Sequence, residues 1–206
     1  DSATIYDPYT IKENNLILFQ SFVEWKHRFS NSITIISGLH YEHFLYNNTN
    51  SLEPRFSAQW KYASNRSLSF GYGLHSKLAP IYMFVRKTYT DREENGNAIS
   101  YQTNRDLDFI KSQHFVLGHD YSFTPQLRLK TEIYYQHLFT VPVRQEPDYF
   151  WLLNGGEGLS SWCDEDSLVN KGTGENYGIE ITFEKFLYNN YYFLFTTSLF
   201  NSTSKA

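Results

Sequence analysis

The residues able to do chemistry fall into a few groups, and their spacing says how each could be used. His40 and His43 lie three apart, and His114 and His119 five apart. On a β-strand, residues an odd number apart point to opposite faces, so neither pair makes a simple chelate. Lumen or aromatic-girdle positions suit these histidines better, and no metal site is expected. Glu157 and Asp164-Glu165-Asp166 supply hard oxygen ligands of the kind calcium takes. The glycine that an EF-hand loop requires is missing, which favours a solvated loop. Trp162, beside this cluster, could stack on a sugar or an aromatic chelate. Trp162, Glu157, Asp164 and Asp166 are therefore the candidate ligand-binding residues.

Other constellations fail on inspection. Glu132, Glu180 and Glu184 resemble the carboxylates of glycoside hydrolysis, but carboxylates alternating along strands are ordinary for a wet channel wall. Gly172-Thr173-Gly174 invites a phosphate-loop reading, yet no helix pattern follows and no Lys-Ser or Lys-Thr completes it. No Ser-His-Asp arrangement stands out. No catalytic residue and no cofactor is expected, and the chain reads as a non-enzyme.

The elements that position these residues read as strands. In 127–139, Leu127, Leu129, Thr131, Ile133, Tyr135, His137 and Phe139 occupy one parity, and Arg128, Lys130, Glu132, Tyr134, Gln136 and Leu138 the other. Neighbouring side chains of a strand point to opposite faces, so this is a strand between two unlike solvents. At 17–29, Ile17, Phe19, Val23, Trp25 and Phe29 oppose Gln20, Glu24, Lys26 and Arg28. At 178–187, Ile179, Ile181, Phe183 and Leu187 oppose Glu180, Thr182 and Glu184, and at 55–62 Phe56, Ala58, Trp60 and Tyr62 oppose Arg55, Ser57, Gln59 and Lys61. Segments 33–46, 67–85, 112–123 and 191–200 alternate less cleanly but are β-rich. Together they make about eight strands of roughly 10 to 18 residues, longer than the usual five or six and long enough for a tilted membrane strand of about 9–11. Glu24, Lys26, Arg28, Arg128, Lys130, Glu132, Glu180 and Glu184 then share a polar, lumen-type face. A ladder of cross-strand charge pairs is the favoured reading of that face, with contact to a plug or solute as the alternative.

Composition agrees. Mean hydropathy is −0.50, as for a water-soluble chain, yet 18% of the residues are aromatic, including 17 Tyr and 17 Phe. A transmembrane barrel reconciles the two, because only every second residue meets lipid while aromatic girdles raise the Tyr and Phe content. A net charge of −4 gives no basic patch for nucleic acid. The single cysteine, Cys163, forms no intrachain disulfide.

Very short connections at Ser30-Asn31-Ser32, Ser64-Asn65-Arg66, Thr124-Pro125-Gln126 and Tyr188-Asn189-Asn190 alternate with longer ones near 47–53, 87–111 and 141–176. Outer-membrane barrels alternate short periplasmic turns with longer extracellular loops, so residues 31, 65, 125 and 189 are expected at the periplasmic end.

Several stretches resemble the barrel region of TonB-dependent receptors of the type with a carboxypeptidase-regulatory-like N-terminal domain. They are Leu52-Glu53-Pro54-Arg55-Phe56, Gly71-Tyr72-Gly73-Leu74-His75-Ser76, Ser112-Gln113-His114-Phe115-Val116-Leu117-Gly118, Glu132-Ile133-Tyr134-Tyr135-Gln136, Val141-Pro142-Val143, and the run from Asn170 to Glu180. The similarity runs over most of 33–200. The resemblance implies an all-β, antiparallel up-and-down meander belonging to a larger transmembrane barrel, closed in the parent by a plug. It implies the bacterial outer membrane, uptake of a large scarce solute such as an iron chelate, cobalamin or glycan, and energy drawn from the TonB complex through the plug region. Outer-membrane lipid is the expected surrounding. About eight strands, no plug, no signal-peptide pattern and no terminal aromatic residue make residues 1–206 read as an internal part of such a barrel. Two other readings stay open: a self-contained small outer-membrane barrel with a structural or adhesive role, and a soluble lipocalin-like binder with its apolar face inward.

Overall fold

A computed structural model describes residues 16–92, 98–146 and 167–205. Its main element is an eight-stranded sheet of β1 (Leu18–Arg28), β2 (Ile33–Phe44), β3 (Thr49–Ala63), β4 (Arg66–Lys77), β7 (Ile110–Thr124), β8 (Leu127–Arg144), β9 (Leu168–Tyr188) and β10 (Tyr191–Lys205). The strands lie in sequence order and every neighbouring pair is antiparallel, so the sheet is an up-and-down meander. A short helix, α1 (Ile81–Val85), and a two-stranded ribbon of β5 (Thr88–Arg92) and β6 (Ala98–Tyr101) occupy the connection between β4 and β7. Among the described residues β1 and β10 are not paired with each other, so the sheet is open. That is not the architecture of a self-contained closed barrel.

Local chemistry explains the tight connections. Asn189 and Asn190, with φ of 53° and 66°, are the two central residues between β9 and β10. Positive φ at both positions defines the type I′ hairpin turn, whose twist matches that of the strands. Ser30 Oγ accepts the backbone N–H groups of Ser32 and Ile33 at the β1–β2 turn, and Thr124 Oγ1 accepts those of Gln126 and Leu127 at the β7–β8 turn. Short hydroxyl side chains replace a missing ladder partner in this way.

Three boundaries differ from the sequence expectation. The connection expected over 47–53 shrinks to 45–48, with Asn48 at φ 62°. Ser51 and Glu53 are polar but lie buried inside β3, which hides the strand from a hydropathy pattern. Pro54 falls where pairing of β3 with β4 stops, at Arg55 and Gly73, a place that tolerates a residue without an N–H. The strand expected over 67–85 ends at Lys77, because Pro80 starts the helical turn of α1, whose Met83, Phe84 and Val85 are buried. A short continuous apolar run does not distinguish strand from helix by period. Both flanks of the loop expected over 141–176 are strand: Val141-Pro142-Val143 prolongs β8 through two register shifts, and Gly172-Thr173-Gly174 lies within β9. A Cβ on Gly172 would come within 2.9 Å of the Val141 carbonyl oxygen, so the irregular pairing requires glycine there.

Among the described residues the buried core is small. Phe44, Tyr46, Ala79, Met83, Phe84, Val85, Leu107, Phe109 and Leu168 cluster at the end of the sheet that carries the long connections. The segment before β7 is tied down by polar contacts: Asn47 Nδ2 donates to the Arg105 and Leu107 carbonyls, Leu168 N–H donates to Asn104 Oδ1, and Thr140 Oγ1 donates to the Phe109 carbonyl. Buried backbone groups outside the ladder are satisfied through these side chains.

Candidate functional site: the two faces of the sheet

Strand register sorts the side chains into two faces. One face carries Phe19, Val23, Trp25, Leu39, Phe56, Trp60, Leu117, Ile133, Ile179 and Phe183. Much of it is uncovered: Trp25 is 60% exposed, Trp60 52% and Ile133 54%. Large apolar residues left open on this scale mark a surface that meets something other than water. Near the short turns this face carries touching aromatic rings: Trp60 and Tyr62 at 5.6 Å, Phe123 and Phe183 at 6.3 Å, Phe183 and Phe193 at 5.5 Å. A belt of that kind at one end of the strands is the pattern of an interfacial girdle.

The opposite face is polar, and the eight charged residues expected there all lie on it. Arg128, Lys130 and Glu132 on β8 meet Glu184, Thr182 and Glu180 on β9 in direct register. Arg128 Nε donates to Asp120 Oδ1 at 2.7 Å, and its Nη1 is 4.0 Å from Glu184 Oε2. Lys130 Nζ is 2.5 Å from Glu132 Oε2, which offsets the repulsion of two carboxylates, Glu132 and Glu180, set directly opposite each other. Glu24, Lys26 and Arg28 on β1 stand opposite Gly38, Ile36 and Thr34, so among the described residues this part of the expected charge ladder has no charged cross-strand partner. With β2, β3, β4 and β7 between β1 and β8, the two charged groups are separate patches. At the sheet edges the alternation is imperfect, since Phe22, Leu194 and Phe200 share the polar face.

Sequence reasoning missed what lies between those patches. Gly38, Gly71 and Gly73 remove side chains from β2 and β4, leaving a trough of about 730 Å³ bordered by Glu24, His40, Arg55, His75 and His114. Beside it a relay of amides and hydroxyls crosses four strands: Gln136 Nε2 donates to Ser112 Oγ at 2.9 Å, Asn176 Nδ2 donates to Gln136 Oε1 at 2.9 Å, and Ser202 Oγ donates to Asn176 Oδ1 at 2.5 Å. His40, Glu42 and Glu53 also gather on this face. The available signal was the i, i+2 pair His40 and Glu42 with Glu53 across a short hairpin, but the expected loop over 47–53 concealed it. His40 and His43 do lie on opposite faces, as do His114 and His119. Trp162, Glu157, Asp164 and Asp166 lie outside the described residues.

A meander of long strands with one uncovered apolar face and one polar face is a section of a β-barrel wall. No protein-family model matches the sequence, and no curated protein matches it. Solved structures do share the fold. The chain superposes on the siderophore receptor PirA from Pseudomonas aeruginosa with a TM-score of 0.66 and 12% identity, covering 90% of this chain and 34% of that one. It superposes on the RagAB peptide importer with a TM-score of 0.64 and 14% identity, over 91% of this chain and 22% of that one. The alcaligin outer-membrane receptor FauA from Bordetella pertussis gives a TM-score of 0.59 and 10% identity, over 91% and 30%. The chain thus spans about a third of these structures or less. At such identities the likeness establishes the fold: an arc of the barrel wall found in outer-membrane receptors and importers.

Proposed function

We propose that this chain is part of the barrel wall of a TonB-dependent receptor of the bacterial outer membrane, and that its parent takes up a large scarce solute such as an iron chelate, cobalamin, glycan or peptide. The carrying observation is the uncovered apolar face with its aromatic belt, backed by a polar face on the same strands. Backbone groups in a bilayer must all be bonded, and a meander satisfies this once its edges are paired. Here β1 and β10 are the open edges, and further strands of the parent would complete them. The eight charged residues, Glu24, Lys26, Arg28, Arg128, Lys130, Glu132, Glu180 and Glu184, then face the lumen. Trp162, Glu157, Asp164 and Asp166, between β8 and β9 in the sequence, are the candidates for solute capture, and energy reaches the parent through TonB at its plug. Siderophore and peptide cargoes among the structural neighbours support uptake as the activity and leave the solute open.

A lipocalin-like binder would turn its apolar face inward, whereas here the segment that folds back packs on the other side: Phe84 of α1 meets Phe44, on the polar face, at the long-connection end. Tryptophan quenching tests the proposal. With Trp151 and Trp162 replaced by Phe, bromine-labelled lipid should quench Trp25 and Trp60 in vesicles. Quenching by aqueous iodide alone would refute the membrane reading.

A further inference from the structure

Three potential metal ligands converge on the polar face where β2 meets β3. His40 and Glu42 are two apart on β2, and Glu53 is the direct cross-strand partner of His40. One donor atom from each lies within 4.8 Å of the other two. Glu42 is 6% exposed and Glu53 1% exposed, so two carboxylates sit side by side away from water. Buried carboxylates need compensating charge.

The compensation among the described residues is incomplete. Arg55 Nη2, at 2.9 Å from Glu53 Oε2, balances one charge. Glu53 also accepts the backbone N–H of Ser76 at 2.9 Å. Glu42 accepts from the neutral amide of Gln20. The Ser76 hydroxyl is within hydrogen-bond distance of both Glu42 Oε2 and Glu53 Oε1, and a hydroxyl carries one proton, so it serves one of them. With His40 neutral, the state in which an imidazole nitrogen can ligate a metal, Arg55 balances one of the two carboxylate charges and the other is left over, with the imidazole Nδ1 2.9 Å from Glu53 Oε2.

A second observation is independent of these carboxylates. Ser51 is 3% exposed, and among the described residues its Oγ has no hydrogen-bond partner. It lies two residues before Glu53 on the same face and directly opposite Glu42, in the closest cross-strand position available. A buried hydroxyl without a partner costs free energy unless something at the site takes its oxygen.

We propose that His40, Glu42 and Glu53, with Ser51 as an oxygen donor, form a binding site for one divalent transition-metal ion, with zinc as the best match. The donor set of one imidazole nitrogen and carboxylate oxygens suits zinc at about 2.0–2.2 Å in tetrahedral geometry. It lacks the thiolates that soft ions prefer. The ion supplies the missing positive charge and joins β2 to β3 at the rim of the trough. The site does not rest on the receptor reading, since it requires only this sheet.

The test is zinc titration of the folded full chain by calorimetry, with strand content checked by circular dichroism. One zinc per chain is expected, with affinity reduced about tenfold to hundredfold or more in Glu42→Gln and in His40→Gln. The control variant His114→Gln, on β7, should bind as the parent chain does. X-ray absorption at the zinc edge of the unaltered chain gives a readout independent of variant folding, with one imidazole and otherwise oxygen ligands expected. Absence of binding by the folded chain, undiminished binding in folded Glu42→Gln, or a shell of several imidazoles would each overturn the proposal.

Discussion

Ile133→Lys separates a lipid-facing sheet from a water-facing one by magnitude. Ile133 projects from the apolar face of β8 between Leu117 and Ile179 and is 54% exposed. It lies six residues beyond Leu127, where β8 leaves its short turn. At about 3.3 Å per residue that is roughly 20 Å along the strand, or about 14 Å of depth at a 45° tilt. This is close to the middle of an apolar layer about 25–30 Å thick. A lysine at that depth costs about 2–4 kcal/mol. On a water-exposed face the same change should stay within about 0.5 kcal/mol. Urea titration of the chain folded into lipid vesicles measures the difference, with Glu132→Gln on the opposite face as the comparison. A shift of less than about 0.5 kcal/mol for Ile133→Lys would refute the reasoning.

Other expectations follow from the same contacts. Arg128→Met leaves Asp120 and Glu184 without their shared guanidinium on a partly exposed face, and should cost about 1–2 kcal/mol, between the values for exposed and buried pairs. A double-mutant cycle with Asp120→Asn would measure the coupling. Asn190→Gly should be neutral or stabilising because of its φ of 66°, whereas Asn190→Val should cost about 1–2 kcal/mol and show as a lower denaturation midpoint. Gly178→Ala would push a Cβ to 2.6 Å from the Leu199 carbonyl oxygen and 2.8 Å from Tyr134 Oη. It should loosen the β9–β10 pairing, seen as faster amide exchange in β10, and Tyr134→Phe should relieve it only in part, because the carbonyl contact remains.

Strand positions with two unlike neighbouring solvents were legible in the sequence. β1, β8 and the second half of β9 carry their faces in plain period two, and the eight charged residues could be assigned to one face before any coordinates. Asn189-Asn190 and Ser30 mark turns through their own backbone chemistry. What stayed hidden depends on the long connections. Ser51 and Glu53 look like loop residues until Phe44, the segment 102–109 and α1 gather over that end of the sheet. The trough is equally invisible in sequence, because Gly38 on β2 and Gly71 and Gly73 on β4 meet only through the register of two hairpins. Pairing of Arg128 with Asp120, across strands and eight residues back, likewise needs the β7–β8 register.

The most direct test is a nitroxide scan of residues 127–139 in vesicles, one labelled cysteine at a time, with Cys163 replaced by Ser. Contact with oxygen dissolved in lipid should peak at 129, 131, 133 and 135, and contact with a water-borne nickel chelate at 130, 132, 134 and 136. Odd positions shielded from both reagents, or a period near 3.6, would contradict a sheet that separates lipid from water.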